Sequence, residues 1–335
     1  MPHTKPQTLR HVPVMLPEVL SALQPETGGI FIDGTFGAGG YSRAILQSSG
    51  AQVVAIDRDP TAISAGQTLV NESGGRLRLV QGTFGAMRQI AADLGLEKVQ
   101  GVVLDIGVSS MQIDEAARGF SFMREGPLDM RMGQDGPSAK DYVNELNAED
   151  LARIIYIYGE EQRSRAIAKA IVKARSEAPI LTTLDLVKAV EQATGPQRAQ
   201  DRTHPATRTF QGLRIYVNAE LDELGHALSA AEELLVEGGR LVVVTFHSLE
   251  DRIVKRFFAA RGGNVPLASR HAPVETIQAK GSFSLPQKGH VEASDAERLD
   301  NPRARSAKLR FGIRTSAPAF KIDFKSIAVP QLERH

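Results

Sequence analysis

The chain has 335 residues, of which 42% are hydrophobic and 24% are charged, and its formal net charge is +1. This composition is typical of a soluble globular protein with room for one large domain or two. The N-terminus lacks the apolar stretch of a secretory signal, and no run approaches the ~20 apolar residues of a membrane span. The absence of cysteine excludes disulfides, thiolate metal ligands and a cysteine nucleophile. This suits a cytoplasmic protein, and no metal site is expected. Because the net charge is only +1, any nucleic-acid binding must come from local basic patches.

Strands and helices alternate over the first third of the chain. After a loose arm at residues 1–12, hydrophobic periodicity predicts helices at 13–23, 41–47, 60–71 and 87–94. Short apolar runs between them predict strands at 30–32, 51–56, 76–80 and 99–106. This order indicates an α/β fold with a doubly wound, mostly parallel sheet, which binds ligands at the carboxyl ends of its strands.

A helical segment interrupts this pattern and the sheet then resumes. Residues 139–193 have purely helical periodicity, which indicates an inserted all-helical domain. The remaining predicted elements are a long helix at 205–235, a strand at 240–246, a helix at 247–260, irregular chain at 261–302 and an edge strand at 307–315. The domain prediction is an α/β domain formed by residues 1–112 and 208–335, interrupted by a helical domain at 113–207.

The stretch IFIDGTFGAGGYS, at residues 30–42, combines a strand, a carboxylate at its end and a glycine-rich loop. The glycine spacing fits neither the dinucleotide fingerprint nor a phosphate-binding P-loop. Asp33 and Asp57, at the ends of the first two strands, instead suit S-adenosylmethionine. Asp33 would attract the methionine ammonium, directly or through water or backbone, and Asp57 would accept from the ribose hydroxyls. The alternative is a structural turn with solvated acids.

Polar and aromatic residues also follow the later strands. Phe84 follows the third strand and is either a surface for an adenine ring or an ordinary core residue. Asp105 and Ser109 follow the fourth strand, where they would lie over the reactive end of the cofactor or cap the next turn. His247 follows the fifth strand and would face the same crevice, although a structural histidine is the more common case.

The sequence has two notable basic segments, the first of which is a candidate for nucleic-acid contact. The HPATRTFQGLR stretch interleaves Phe210 with Arg202, Arg208 and Arg214, a pattern that suits phosphate contact with base stacking. Its alternative is a solvated helix start. A second band of cations lies in the helical segment and consists of Arg163, Arg165, Lys169, Lys173 and Arg175.

Taken together, these motifs resemble the ribosomal RNA small-subunit methyltransferase H family (RsmH, formerly MraW). The most specific matches are HPATRTFQ, FHSLEDRIVK and NPRARS, and matching segments run from about His11 to Arg314. The resemblance implies a class I S-adenosylmethionine-dependent methyltransferase fold with a helical substrate-recognition insertion. It also implies methylation of the exocyclic N(4) of a cytosine in the decoding region of 16S rRNA. The cofactor-binding residues that it implies are Gly39, Gly40, Tyr41, Asp57, Phe84, Asp105 and Gln112. Tyr41 replaces the histidine that is usual in the family, and contact through its backbone would preserve the role.

The residues present restrict the chemistry of such a reaction. Methylation at ring carbon 5 of cytosine commonly needs a cysteine, whereas an exocyclic amine needs no covalent intermediate. Because the amine lone pair is delocalised into the ring, the enzyme must accept its hydrogen bonds and align its nitrogen with the methyl group. The hypothesis is that the Asp105 carboxylate or nearby backbone carbonyls orient the amine, assisted by Ser109 or His247.

The expected partner is 16S rRNA, within the small ribosomal subunit, and the sequence leaves a homodimer open. The target base must leave any helical stack to be methylated, while the insertion and the basic patch hold the flanking RNA. Two alternatives belong to other classes. One is a non-catalytic RNA-binding assembly factor, disfavoured by the intact glycine loop and strand-end acids. The other is an NAD-dependent oxidoreductase, disfavoured by the glycine spacing.

Overall fold

The computed structural model describes residues 13–197, 203–262 and 280–332. The predicted arm at 1–12 and Arg202 of the basic patch lie outside these residues. The chain divides into two compact units. The first, the sheet unit, comprises Met1–Ile106 and Gly225–Ala328, and the second, the helical unit, comprises Gly107–Leu224 and Val329–His335.

The sheet unit is built on eight strands within the described residues. They are β1 (Gly29–Asp33), β2 (Ala51–Asp57), β3 (Leu77–Gln81), β4 (Val99–Asp105), β5 (Leu235–Thr245), β6 (Phe283–Ser284), β7 (Val291–Glu292) and β8 (Lys308–Arg314). Their order is β3-β2-β1-β4-β5-β8-β6, with β7 also paired to β8. Strands β1 to β5 pair in parallel, and β8 is antiparallel to β5. The predicted α/β class, with a mostly parallel doubly wound sheet, is confirmed.

The central strands are hydrophobic over most of their length because helices cover both faces of a parallel sheet. Val102, Val103 and Leu104 of β4 are fully buried, as are Val242 and Val243 of β5. The helices of the sheet unit are α1 (Leu16–Leu23), α2 (Gly40–Ile45), α3 (Pro60–Glu72), α4 (Met87–Asp93), α12 (Ser248–Arg261) and α13 (Asp295–Asp300). Asp59 caps α3 by accepting the Thr61 N–H at 2.9 Å.

The helical unit contains a bundle of amphipathic helices. They are α5 (Ser110–Asp114), α6 (Ala139–Glu145), α7 (Ala148–Ile157), α8 (Ser164–Glu177), α9 (Thr183–Thr194) and α10 (Thr207–Asn218). Ser138 with Asp141 and Thr182 with Asp185 form capping boxes that fix where α6 and α9 begin. Tyr142 and Tyr158 lie against Tyr216 of α10, with ring centroids 4.9 and 6.2 Å from its ring. No described helix has the length and apolar character needed to cross a membrane.

The structure corrects several predicted elements. The long helix expected at 205–235 is broken at Ala219, whose φ is 54°, into α10 and α11 (Glu220–Leu234). Strand β5 begins at Leu235 rather than after the glycine pair, and Gly238 adopts a φ of 81° within it. The predicted edge strand, β8, lies between β5 and β6. The described part of 261–302 contains β6, β7 and α13.

The unit boundaries also differ from the predicted domain boundaries. The chain enters the helical unit after Ile106 rather than after residue 112, and it leaves after Leu224 rather than after residue 207. Helix α10 belongs to the helical unit because it packs on α6 and α7.

Candidate functional site

The glycine loop after β1 is fastened to the end of β2 by the Asp57 carboxylate. Gly37 N–H donates to Asp57 Oδ2 at 2.7 Å, and Asp59 N–H donates to Asp57 Oδ1 at 2.8 Å. A carboxylate offers about four acceptor positions, so these two bonds leave capacity for the hydroxyls of a ribose. Burial raises the pKa of Asp57. Its side chain is only partly buried, which suits a group that both orders the loop and accepts from a ligand.

Asp33 holds the glycine loop through hydrogen bonds that its buried carboxyl accepts. Its side chain is fully buried, Ser42 Oγ donates to Oδ2 at 2.6 Å, and Thr35 N–H donates to Oδ1 at 3.2 Å. Burial raises the pKa of Asp33 to about 6, while the Ser42 hydrogen bond opposes that rise. Because its carboxylate binds the chain's own loop, action of Asp33 on a ligand through that loop is favoured over direct attraction of the ammonium, and its role stays a prediction.

The two glycines that precede Tyr41 leave no room for side chains. A Cβ on Gly39, where φ is +76°, would lie 2.7 Å from the Phe36 ring, and a Cβ on Gly40 would lie 2.1 Å from Cγ of Pro13. The Tyr41 ring is 3% exposed, and its hydroxyl donates to the Val14 carbonyl. The buried, hydrogen-bonded ring favours contact of a cofactor with the Tyr41 backbone over contact with its side chain, and this contact stays a prediction.

Asp105 ends β4 with an unpartnered buried oxygen. Its backbone N–H donates to Thr35 Oγ1 at 2.7 Å, but within the described part of the chain Oδ1 has no hydrogen-bond partner although it is fully buried. Burial, followed by the charges of Asp33 and Glu250, raises the pKa of Asp105 to about 8, and Arg303 opposes the rise. A buried acceptor without a donor, beside two further acids, fits a cationic or hydrogen-bond-donating ligand.

Phe84 lies outside the hydrophobic core. It begins a single 3-10 turn after β3 and is only partly buried. A Cβ on Gly34 of the glycine loop would lie 3.3 Å from Phe84 Cβ. Its placement beside this loop favours the adenine-packing interpretation, which stays a prediction, over that of an ordinary core residue.

His247 is the N-cap of α12. Its Nδ1 accepts the Glu250 N–H at 3.5 Å, and its Nε2 lies 2.8 Å from Glu250 Oε1. Glu250 is fully buried, and its Oε2 accepts the N–H groups of Phe246 and His247 at 2.8 and 3.2 Å. These contacts give His247 a structural role at the end of β5, as the sequence alone favoured, and its assistance in catalysis stays a prediction.

Ser109 and Gln112 bind each other in the helical unit. Gln112 N–H donates to Ser109 Oγ at 3.2 Å, and Ser109 N–H donates to Gln112 Oε1 at 3.1 Å. This capping box begins α5. Both residues therefore have a local structural function in addition to the catalytic and cofactor-binding roles predicted for them.

The predicted RNA-binding patch on α10 is largely unavailable. Phe210 is 4% exposed and packs against Phe122, with ring centroids 4.8 Å apart. Arg214 donates from Nε and Nη2 to the two carboxylate oxygens of buried Glu220, each at 2.8 Å. The predicted stacking role of Phe210 and phosphate role of Arg214 are thus corrected, because core packing and an ion pair occupy these side chains. Arg208 is exposed.

Three residues that sequence reasoning missed shape the site in the sheet unit. Thr35 links the glycine loop to β4, Ser42 donates a hydrogen bond to the Asp33 carboxyl, and Glu250 supports His247. Glu250 had a recognisable signal, because an acid three residues after an N-cap suggests a capping box. The partner of Thr35 depends on the pairing of β1 with β4, and the partner of Ser42 depends on the path of the loop between β1 and α2. One sequence gives neither.

The sheet order, the acids ending β1, β2 and β4, and the intervening glycine loop define a class I S-adenosylmethionine-dependent methyltransferase. The chain belongs to the MraW methylase family, whose profile matches residues 8–314. S-adenosyl-L-methionine is accordingly its cofactor, and the glycine loop and the unpartnered Asp105 oxygen fit that cofactor.

Curated relatives resemble the chain over nearly its full length. The protein from Parvibaculum lavamentivorans is 56% identical over 326 residues, which cover 96% of each chain. That from Methylorubrum populi is 60% identical over 311 residues, 92% of this chain and 88% of the relative. That from Rhizobium meliloti is 57% identical over 324 residues, 97% of this chain and 93% of the relative. Each is called ribosomal RNA small subunit methyltransferase H.

Proposed function

We propose that this chain transfers a methyl group from S-adenosylmethionine to the exocyclic N(4) amine of a cytosine in the decoding region of 16S rRNA. The transfer is direct, without a covalent bond between enzyme and base. The observation that carries the proposal is the Asp105 carboxyl, an acceptor without a donor at the sheet edge where such folds bind ligands. The relatives' names supply the substrate class, small-subunit rRNA.

The cofactor, when bound, supplies an electrophilic methyl group on a sulfonium centre. Asp57 would accept from the ribose hydroxyls with the acceptor positions that the bonds from Gly37 and Asp59 leave free. The backbone from Gly39 to Tyr41 would hold the cofactor at the glycine loop, and the Phe84 ring would pack on the adenine. Gln112 is the further residue that would hold the cofactor, and its capping bond with Ser109 fixes its side chain.

Asp105 orients the target amine by accepting one of its N–H bonds. Accepting that bond aligns the nitrogen for attack and draws the lone pair out of conjugation with the ring. Formation of the new N–C bond would be matched by breakage of the bond between the methyl group and sulfur, whose electron pair would stay on sulfur as a neutral thioether. The nitrogen would become positive and lose a proton, for which the ionised Asp105 carboxylate is the nearest proposed acceptor. A pKa of about 8 in the free protein matches this task, because a neighbouring cation lowers it and favours the ionised form.

The missing cysteine supports the amine as acceptor. A chain that has no cysteine cannot attack the cytosine ring with a thiolate. An exocyclic amine needs no such attack, because it reacts directly. Ser109 and His247 assist by holding the chain beside the amine. Their capping bonds position the residues that follow β4 and β5.

Mass mapping of methylated cytosines in small-subunit RNA, from cells with and without this protein, tests the reaction. We expect one N(4)-methylcytosine to disappear with the protein and to return on addition of protein and cofactor to purified subunits. Asp105→Ala should abolish its return, whereas Asp300→Asn, at an exposed acid, should not. An Asp105→Ala variant that binds cofactor normally and methylates at the wild-type rate would refute the role of Asp105. Failure of the wild type to bind cofactor in calorimetry would favour the assembly-factor alternative.

A further inference from the structure

Helix α8 of the helical unit presents a row of cations to solvent. Arg165, Lys169 and Lys173, which we call the basic ridge, are all exposed and are spaced four residues apart. In an α-helix this spacing places side chains on one face, about 6 Å apart along the axis. The opposite face of α8 carries the fully buried residues Ile167, Ala168 and Ile171. Packing of α8 therefore points the ridge outward.

The basic band at residues 163–175 contains two arginines that contact the rest of the bundle and the three cations of the ridge. Arg163 lies 3.9 Å from Glu161 and donates to the Thr194 carbonyl, and Arg175 donates to the Val143 carbonyl at 2.7 Å. These two arginines stabilise the bundle. Within the described ranges, the three ridge cations form neither an ion pair nor a side-chain hydrogen bond.

Other cations of the helical unit, unlike those of the ridge, lie close to acidic side chains. Arg153 pairs with Glu149 at 2.8 Å, and Lys188 lies 3.6 Å from Asp185. Like charges at four-residue spacing repel each other and destabilise a helix. On α8 the acid near the ridge is Glu177, in the last turn. Glu177 lies four residues after Lys173, but among the described residues no ion pair joins it to the ridge. A row of exposed cations that form no ion pair, on a helix whose other arginines are used for packing, fits an anionic partner rather than a structural role.

We infer that the basic ridge of α8 binds phosphates of the rRNA substrate. The inference rests on the proposed function, which supplies the partner. It also replaces the α10 patch, where Phe210 is buried and Arg214 is bound to Glu220. Lysines and an arginine that meet the RNA backbone contribute affinity without reading sequence. The ridge thus holds RNA that flanks the target cytosine, and the methyl-transfer chemistry lies elsewhere.

The salt dependence of binding tests this assignment. The test compares wild type with R165Q/K169Q/K173Q and with a control, K288Q/K321Q/K325Q, which removes the same charge from exposed lysines of the sheet unit. The probes are small ribosomal subunits that lack the modification and a labelled single-stranded RNA. Each phosphate contact contributes about 0.7 to the slope of log affinity against log salt concentration. We expect the ridge variant to lose about 2 from this slope and the control to keep the wild-type slope.

Kinetics and stability provide the second measurement. For the ridge variant we expect the KM for subunits to rise by about tenfold or more, with kcat at saturation, cofactor affinity and thermal stability unchanged. Equal changes in the ridge and control variants would show a general charge effect and overturn the inference. So would a ridge variant with wild-type slope and KM. If wild type bound RNA through the ridge but methylated no small-subunit RNA, the proposed function would fail while the ridge assignment survived.

Discussion

Ser42 Oγ donates to Asp33 Oδ2 over 2.6 Å, and both side chains are fully buried. This pair supports the glycine loop from inside the sheet unit. The Asp33 carboxyl has a pKa of about 6 even with the serine bond, so it is ionised at neutral pH and depends on its donors. Ser42→Ala should therefore destabilise the fold by about 1–3 kcal/mol.

The pH dependence of that loss identifies its cause. Above pH 6 the Ser42→Ala variant holds an ionised buried acid with one donor fewer, whereas at lower pH the acid is protonated and needs the donor less. We expect the loss of unfolding free energy to be larger at about pH 8 than at about pH 5. Urea unfolding measures it, with Ser64→Ala, at an exposed helical serine, as the control. A loss independent of pH would mean that Ser42 acts only through packing.

Asp105→Asn should stabilise the cofactor-free protein at alkaline pH. The folded-state pKa of about 8 exceeds the ordinary value of 3.8, so protonation of Asp105 stabilises the folded state. That stabilisation is complete below pH 3.8 and is lost as pH rises through about 8. Asparagine mimics the protonated acid without titrating. We expect Asp105→Asn to exceed wild type in unfolding free energy by at least about 1 kcal/mol at alkaline pH, and by less in acid.

Thermal unfolding across pH, together with methyl transfer, checks this prediction. The same substitution should abolish activity, because an amide cannot accept the proton. An Asp105→Asn variant less stable than wild type at every pH would show that the ionised carboxylate is a stabilising group.

Tyr41→Phe should distinguish the role of the Tyr41 hydroxyl from that of the Tyr41 backbone in the glycine loop. The buried ring stays in place, and only the bond from its hydroxyl to the Val14 carbonyl is lost. We expect a loss of stability of about 1 kcal/mol and a dissociation constant for S-adenosylhomocysteine within about twofold of wild type. Calorimetry measures that constant. A large loss of affinity in a folded Tyr41→Phe variant would mean that the hydroxyl supports the ligand site.

Gly39→Ala and Gly74→Ala both place a side chain on a residue of positive φ, but only the site of Gly39 is crowded. Both glycines have positive φ, +76° and +61°, but a Cβ on Gly39 meets the Phe36 ring at 2.7 Å, whereas a Cβ on Gly74 meets nothing within 4 Å. Gly74→Ala measures the conformational strain alone, about 1–2 kcal/mol. We expect Gly39→Ala to lose about 1–3 kcal/mol more because of overpacking, and to weaken cofactor binding. Equal losses in the two variants would mean that the Phe36 ring moves aside freely.

Arg214 and Arg208 should behave as structural and surface residues respectively. Arg214→Gln leaves the buried Glu220 carboxylate without its bidentate partner and should destabilise the protein by about 3–5 kcal/mol. Arg208 is exposed, with its guanidinium 3.8 Å from Glu161, and Arg208→Gln should change stability by less than about 1 kcal/mol. Denaturant unfolding compares the two, and Arg214→Gln/Glu220→Gln should recover part of the loss. Wild-type stability in Arg214→Gln would instead leave Arg214 available for RNA.

The local sequence pattern was sufficient to predict strands β1 to β4 and helix α3. The apolar runs of β1 to β4 and the capping aspartate and proline of α3 are signals that lie within a few residues of each other. The structure places each of these elements within one residue of its predicted bounds. The break at Ala219 was missed because helical periodicity continues through it. A single residue of positive φ leaves no trace in a hydrophobic pattern.

The sequence by itself determined the fold class, the strand-end acids Asp33, Asp57 and Asp105, and the family, because each follows from residue type and local spacing. Only the tertiary structure decided what those residues touch. It bound Asp33 to Ser42, left an oxygen of Asp105 without a donor, buried Phe210 beside Phe122 and paired Arg214 with Glu220. The physical reason is that burial and hydrogen-bond partners depend on contacts between distant parts of the chain. Cationic side chains therefore have different roles on two helices: Arg214 of α10 forms a structural ion pair, whereas those of the α8 ridge are exposed.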